Sequence, residues 1–87
     1  STDRMQIVLA CYNAGIGHVL DARSLARKYE ANPDSWEDVS TYLSRKADPE
    51  VANDSAVKYG RFNSSQTLSF VDNVCAKYQT YCSNFSR

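Results

Sequence analysis

The chain is poor in the residues that most often announce a chemistry. Its 87 residues include one histidine, one tryptophan, one methionine, three glycines, two prolines and three cysteines. A lone histidine with scattered cysteines has no metal-ligand spacing, so neither a zinc site nor any cofactor is expected. Ten basic and ten acidic residues cancel. No basic run or stripe stands out, which excludes a phosphate-neutralising surface and a nucleic-acid partner. No apolar run reaches membrane-spanning length, and no signal peptide, internal repeat or low-complexity tract is evident. The chain starts Ser1-Thr2-Asp3 instead of with methionine, which reads as a processed, trimmed or excised product.

The cysteines are Cys11, Cys75 and Cys82, and an odd count leaves at least one thiol free. Cys75 and Cys82 are two turns apart on a helix, about 10 Å of rise, too far for a disulfide without unwinding. The role expected for all three is that of a small buried hydrophobe.

What is present is ordinary globular composition, 43% apolar and 23% charged, in a length that fits one small domain or a piece of a larger one. Six tyrosines are many for this size. A tyrosine ring can be buried or stacked while its hydroxyl stays wet. Rings in helix cores with hydroxyls at the surface account for most of them.

Apolar spacing predicts an all-α chain of about four helices. The first spans about Arg4 to Tyr12, with Met5, Val8, Leu9 and Tyr12 on one side and Ile7 and Cys11 widening it. So broad a surface predicts burial on most sides. Thr2 or Asp3 is its expected cap. The second spans Gly17 to about Tyr29, with Val19, Ala22, Leu25, Ala26 and Tyr29 inward and Asp21, Arg23, Arg27 and Lys28 on the other side. Pro33 falls where a first helical turn tolerates it, so Asn32 or Asp34 is expected to cap a third helix, Ser35 to Arg45. Its buried side is Trp36, Val39, Tyr42 and Leu43. Lys46 to Asn63 reads as irregular, with turn signals at Asp48-Pro49 and Asn53-Asp54. A loop of that length in a small domain is often functional. A last helix, Ser64 to Cys82, carries Leu68, Val71, Val74, Cys75, Tyr78 and Cys82 as its stripe, with Phe70 and Tyr81 at the margins. Asn63 and Gln66 have the spacing of a capping box.

The densest signal is Ala10-Cys11-Tyr12-Asn13-Ala14-Gly15-Ile16-Gly17-His18. A helix ends in Tyr-Asn, and a Gly-x-Gly turn starts the next one. Gly15 and Gly17 permit positive φ and close backbone approach. Taken alone, Asn13 is either a helix-end residue or a ligand donor, and Tyr12 either a core ring or a polar tip at the corner.

This corner resembles the Ala-Tyr-Asn-Ala-Gly motif of the lytic transglycosylases of goose-lysozyme-like type, enzymes that cleave bacterial peptidoglycan, with Cys11 where that family usually has alanine. Gly17-His18-Val19-Leu20-Asp21-Ala22-Arg23 and Asn32-Pro33-Asp34-Ser35-Trp36-Glu37-Asp38-Val39 are similar to two segments of a membrane-bound branch of that family, in the same order and at matching distance. Tyr59-Gly60-Arg61 and Phe70-Val71-Asp72-Asn73-Val74 look like a later Tyr-x-Arg-Gly stretch and the helix after it. Phe62 stands where the family prefers glycine and Gln66 where glutamate is common.

The resemblance covers nearly the whole chain but only the C-terminal half of the family's lysozyme-like catalytic domain. It implies cleavage of the bond between N-acetylmuramic acid and N-acetylglucosamine by one glutamate, first as acid and then as base. The muramic 6-hydroxyl attacks internally and gives a 1,6-anhydro product. The family's glutamate lies in a Glu-Ser segment upstream, and no such segment occurs here. Glu30, Glu37 and Glu50 have no features of a buried acid, so no catalytic residue is assigned in this chain. The implied substrate-binding residues are Tyr12, Asn13, Tyr59 and Arg61, with Gly15 and Gly17 as the structural turn. Tyr12 would place a hydroxyl near the acid or the scissile sugar, and Arg61 would meet a peptide or lactyl carboxylate. His18 is expected to face solvent at a helix start, and Trp36 to be core.

The implied partners are peptidoglycan glycan strands and the missing N-terminal half of the same domain, in the bacterial periplasm, with an outer-membrane tether outside this chain. The fragment alone is expected to be inactive. The rival expectation is a non-catalytic helical module that binds glycan or a protein partner through its tyrosines, consistent with the lack of a catalytic acid.

Overall fold

Helical periodicity organises the chain, and the computed structural model describes the backbone of residues 2–85 and the side chains of residues 2–80. Its elements are α1 (Thr2–Ala14), α2 (Ile16–Lys28), α3 (Trp36–Arg45), the single turn α4 (Pro49–Ala52) and α5 (Ser65–Phe85). No strand occurs among the described residues, so the all-α expectation holds. α4 corrects the expectation of irregular chain from Lys46 to Asn63. There Asp48 caps the Glu50 amide at 2.9 Å and Pro49 takes the first helical position.

One residue, Gly15, separates α1 from α2. Its amide donates to the Cys11 carbonyl at 3.0 Å and its φ is 95°, a left-handed value that strains any residue with a β-carbon. α2 ends in the reciprocal pattern of a Schellman stop. The Ala31 amide reaches back to the Ala26 carbonyl at 2.7 Å and the Glu30 amide to the Arg27 carbonyl at 3.3 Å. The left-handed position is filled by Glu30, at φ 64°, where glycine is the usual occupant.

The caps differ from those expected. Ser35 caps α3, its hydroxyl accepting from the Asp38 amide at 3.4 Å. Asn32 turns its side chain onto the Asp34 amide instead, a local Asx turn that removes it from capping. Asp3 reaches from α1 to accept the Trp36 amide at 3.0 Å, placing a carboxylate at the positive end of α3. At α5, Asn63 accepts from the Ser65 amide at 3.1 Å, one residue short of the Gln66 expected for a capping box.

α1 packs against α2, α3 and α5, and α2 against α3. The core is Ala10, Val19, Ala22, Trp36, Val39, Leu43, Val71 and Cys75, with Met5, Ile7, Leu9, Cys11, Tyr42, Phe62, Leu68 and Phe70 packed around it. Trp36 is core, as expected. Cys11 and Cys75 are free thiols, Cys75 buried and Cys11 half-buried. Cys82 and Tyr81 lie outside the described side chains.

α1 carries more apolar surface than this chain covers: Ala10 is its one fully buried residue among those described, and Val8 and Tyr12 are exposed. Two expectations fail. The tyrosines are not mainly core rings, since Tyr12, Tyr29, Tyr59 and Tyr78 are all more than half exposed. Asp21 turns inward and is 2% exposed.

Candidate functional site

The corner predicted from Tyr12-Asn13-Ala14-Gly15 is built by the end of α1, the start of α2 and the head of α5. Tyr12 is 84% exposed, with Phe70 of α5 stacked beside it at 6.4 Å between ring centroids. Thr67, buried on α5, donates its hydroxyl to Asn13 Oδ1 at 2.8 Å. That bond fixes the Asn13 side chain and leaves its amide NH2 as the donor a ligand can use.

Beneath the α2 head lies a buried ion pair. Lys46, fully buried just past the end of α3, donates to Asp21 Oδ2 at 2.7 Å. The same carboxylate accepts the Lys58 amide on Oδ1 at 2.8 Å and the Tyr59 amide on Oδ2 at 2.9 Å. Burial works to raise the Asp21 carboxyl pKa. The Lys46 hydrogen bond and the two backbone amides outweigh it and hold the group below the ordinary value.

His18 does not face solvent as expected. Its Nδ1 stands 2.7 Å from Lys46 Nζ, and its ring stacks on Phe62 at 4.3 Å. An ammonium is a donor only, so Nδ1 must be the acceptor and the ring neutral. Burial and the Lys46 charge lower the His18 pKa against a smaller opposing pull from Asp21.

Residues 58–62 are thus tied at both ends. Asp21 takes the amides of Lys58 and Tyr59. The Phe62 amide donates to the Lys46 carbonyl at 3.2 Å, and Arg61 Nε donates to the Ala47 carbonyl at 2.8 Å. Tyr59, 59% exposed, lays its ring on Gly17. The structure therefore joins Tyr59 to Gly17 and joins Asn13 to α5; Gly17 lies in the first turn of α2 and not in the connecting turn expected of it, which Gly15 makes alone. Arg61 instead commits its Nε to the end of α3.

Asp21, Lys46, His18 and Phe62 were not singled out from the sequence as a cluster, yet helical spacing carries their signal. Asp21 lies four residues before Leu25, and Lys46 three after Leu43, each in register with a buried face. An acid on one apolar stripe and a base on another are the two halves of a buried pair.

The Cys11 thiol is pushed up by burial, with Arg23 opposing, so it lacks the thiolate character of a nucleophile. Glu30, Glu37 and Glu50 are exposed. Two grooves lie elsewhere. One of about 490 Å³ is lined by Arg4, Ile7, Val8, Arg23 and Asp34. The other, about 320 Å³, is lined by Leu25, Tyr29, Tyr42, Arg45, Glu50, Val51 and Asp54. No helix among the described residues is long and apolar enough to cross a membrane.

No family model matches the chain, and no solved structure matches it. Curated proteins do. The membrane-bound lytic murein transglycosylase F of Cellvibrio japonicus is 40% identical over 72 residues, covering 83% of this chain and 14% of that protein. The protein of the same name from Actinobacillus pleuropneumoniae is 38% identical over 78 residues, 90% of this chain and 16% of that protein. That from Maricaulis maris is 36% identical over 72 residues, 83% of this chain and 15% of its own. The chain is similar to the membrane-bound lytic murein transglycosylase F proteins over a segment that spans about one-seventh of their length.

Proposed function

We propose that this chain walls one side of the glycan groove in a lytic murein transglycosylase, as the C-terminal part of a lysozyme-like catalytic domain in the bacterial periplasm. The observation that carries the reading is the exposed Tyr12 beside an Asn13 locked by Thr67, in a segment whose relatives are named for murein transglycosylation. An exposed ring next to a fixed amide donor suits a sugar: the ring packs on the apolar face of the pyranose and the amide meets its hydroxyls or acetamido group.

In that groove the general acid comes from polypeptide outside these residues. It protonates the leaving glycosidic oxygen, and as base it accepts the proton of the muramic 6-hydroxyl that closes onto the anomeric carbon. Tyr12 places its hydroxyl near the scissile sugar and Asn13 donates to it. Tyr59 extends the aromatic wall, and the terminal nitrogens of Arg61 meet a lactyl or peptide carboxylate. By itself the chain binds glycan without cleaving it. Incubation with purified sacculi, followed by mass spectrometry of soluble products, checks this. No anhydro-muropeptides are expected, and their abundant release by the pure chain contradicts the reading.

The exposed apolar side chains Val8 and Tyr12 on α1 and Ile16 and Leu20 on α2 favour a second reading, a surface that docks a protein. Muropeptide binding that depends on Tyr12 separates the two.

A further inference from the structure

The buried pair Asp21–Lys46 has no place in glycan cleavage, yet its carboxylate accepts three hydrogen bonds and its ammonium also contacts His18. Both Asp21 oxygens and the Lys46 ammonium converge with His18 at one point. Burying two charges is justified only where their bonds are well satisfied, and such pairs tend to fix one arrangement among several. Here the arrangement fixed is the seat of Tyr59. Its own amide ends on Asp21, its ring rests on Gly17, and Phe62, three residues on, stacks on His18.

We propose that Asp21, Lys46 and His18 are positioning residues for Tyr59, forming a latch that holds residues 58–62 on the head of α2 and opens when His18 takes a proton on Nδ1. The functional meaning of the latch rests on reading Tyr59 as a groove residue; the latch itself does not.

The geometry dictates the opening. While His18 Nδ1 is bare it accepts from Lys46 at 2.7 Å. Once protonated it presents an N–H to an ammonium, two donors and two positive charges in contact, and the pair must part. The ring then leaves Phe62. Of the charged groups facing His18, Lys46 at the end of α3 opposes protonation and Asp21 on α2 favours it. On the 58–62 segment the Lys58 side chain is exposed, and Arg61 donates to the Ala47 carbonyl. The charged residues of α1, Asp3 and Arg4, lie in its first turn, far along the helix from the corner. Those of α5, Asp72 and Lys77, are exposed. Among the described residues, Lys46 and Asp21 are the charged groups that bear on the imidazole.

The test is an NMR pH titration of the chain, reading the His18 ring, the Gly17 α-protons shifted by the Tyr59 ring, and the Lys58 and Tyr59 amides. Far-UV circular dichroism is followed on the same samples. As pH falls below the ordinary histidine value of 6.5, the Gly17 shift should collapse with the His18 titration while helicity persists. In His18→Gln, whose side-chain oxygen accepts from Lys46 but does not titrate, the Gly17 shift should stay through the same range. In Asp21→Leu/Lys46→Met, an apolar pair of similar volume, helices should remain. The Lys58 and Tyr59 amides should then exchange roughly tenfold faster or more, as expected for a lost acceptor. A Gly17 shift indifferent to His18 protonation overturns the latch, as does an acid transition retained in His18→Gln or one that coincides with loss of the helices. No readout uses glycan, so failure of glycan binding leaves this test standing.

Discussion

The ring of Tyr59 lies on the backbone of Gly17 so closely that a β-carbon at position 17 would stand 2.8 Å from its Cγ and Cδ1. Gly17→Ala should therefore displace the ring and cost about 1–3 kcal/mol, the ordinary range for overpacking. The companion variant Tyr59→Ala removes the obstacle, so the alanine at 17 should cost almost nothing in that background. Urea denaturation of the two single variants and the double variant measures the coupling. Additive costs would mean that the two residues do not touch.

The pairing was half legible in the sequence. The sequence marks Gly17 as a turn residue and Tyr59 as a groove residue, but their contact spans 42 positions of chain, and periodicity reports only what lies within one helix. The same limit explains the buried pair. Asp21 and Lys46 each sit in register with an apolar stripe, and only the packing of α2 on α3 makes them partners. The helices themselves were readable because Val19, Ala22, Leu25 and Ala26 repeat at helical spacing. α4 was missed because a four-residue turn has no period to detect. Ser35 was missed as the α3 cap because Asn32 and Asp34 have stronger capping chemistry in isolation, and an Asx turn claims Asn32.

Removing one member of the buried pair should reveal which residue is the anchor. Asp21→Ala leaves the Lys46 ammonium buried and two amides without an acceptor, and should destabilise by about 3–5 kcal/mol. Lys46→Met should cost less, since Asp21 keeps the amides of Lys58 and Tyr59. Chemical denaturation midpoints give both values. An equal or reversed order would place the anchor elsewhere.

Stability should fall with acid in two stages. His18 and Asp21 both have folded pKa values below their ordinary ones. The unfolded chain therefore takes up each proton at higher pH than the folded chain, and acid favours unfolding. The His18 contribution is complete above 6.5 and is lost below it. The Asp21 contribution is complete above 3.8 and is lost as pH falls through its lower folded value. Asp54 joins that second stage. Its carboxyl accepts the Ala56 amide, Lys28 Nζ and the Tyr29 hydroxyl, which hold it at about 2. Urea midpoints from about pH 8 to about pH 2 trace both stages, and His18→Gln should erase the first. A chain that grew more stable on acidification through 6.5 would reverse the sign assigned to His18.

The glycan-wall reading stands or falls on Tyr12. The most direct measurement is a chemical-shift titration of the chain with a soluble N-acetylglucosaminyl–N-acetylmuramic oligosaccharide at concentrations up to about a millimolar, which detects binding as weak as about 4 kcal/mol. The account predicts shifts concentrated at Tyr12, Asn13, Gly15 and Tyr59. It predicts their loss in Tyr12→Ala, which should leave stability within about 0.5 kcal/mol because the ring is 84% exposed. Shifts confined to the groove of Tyr29 and Tyr42, or shifts at the corner that survive Tyr12→Ala unchanged, would contradict it.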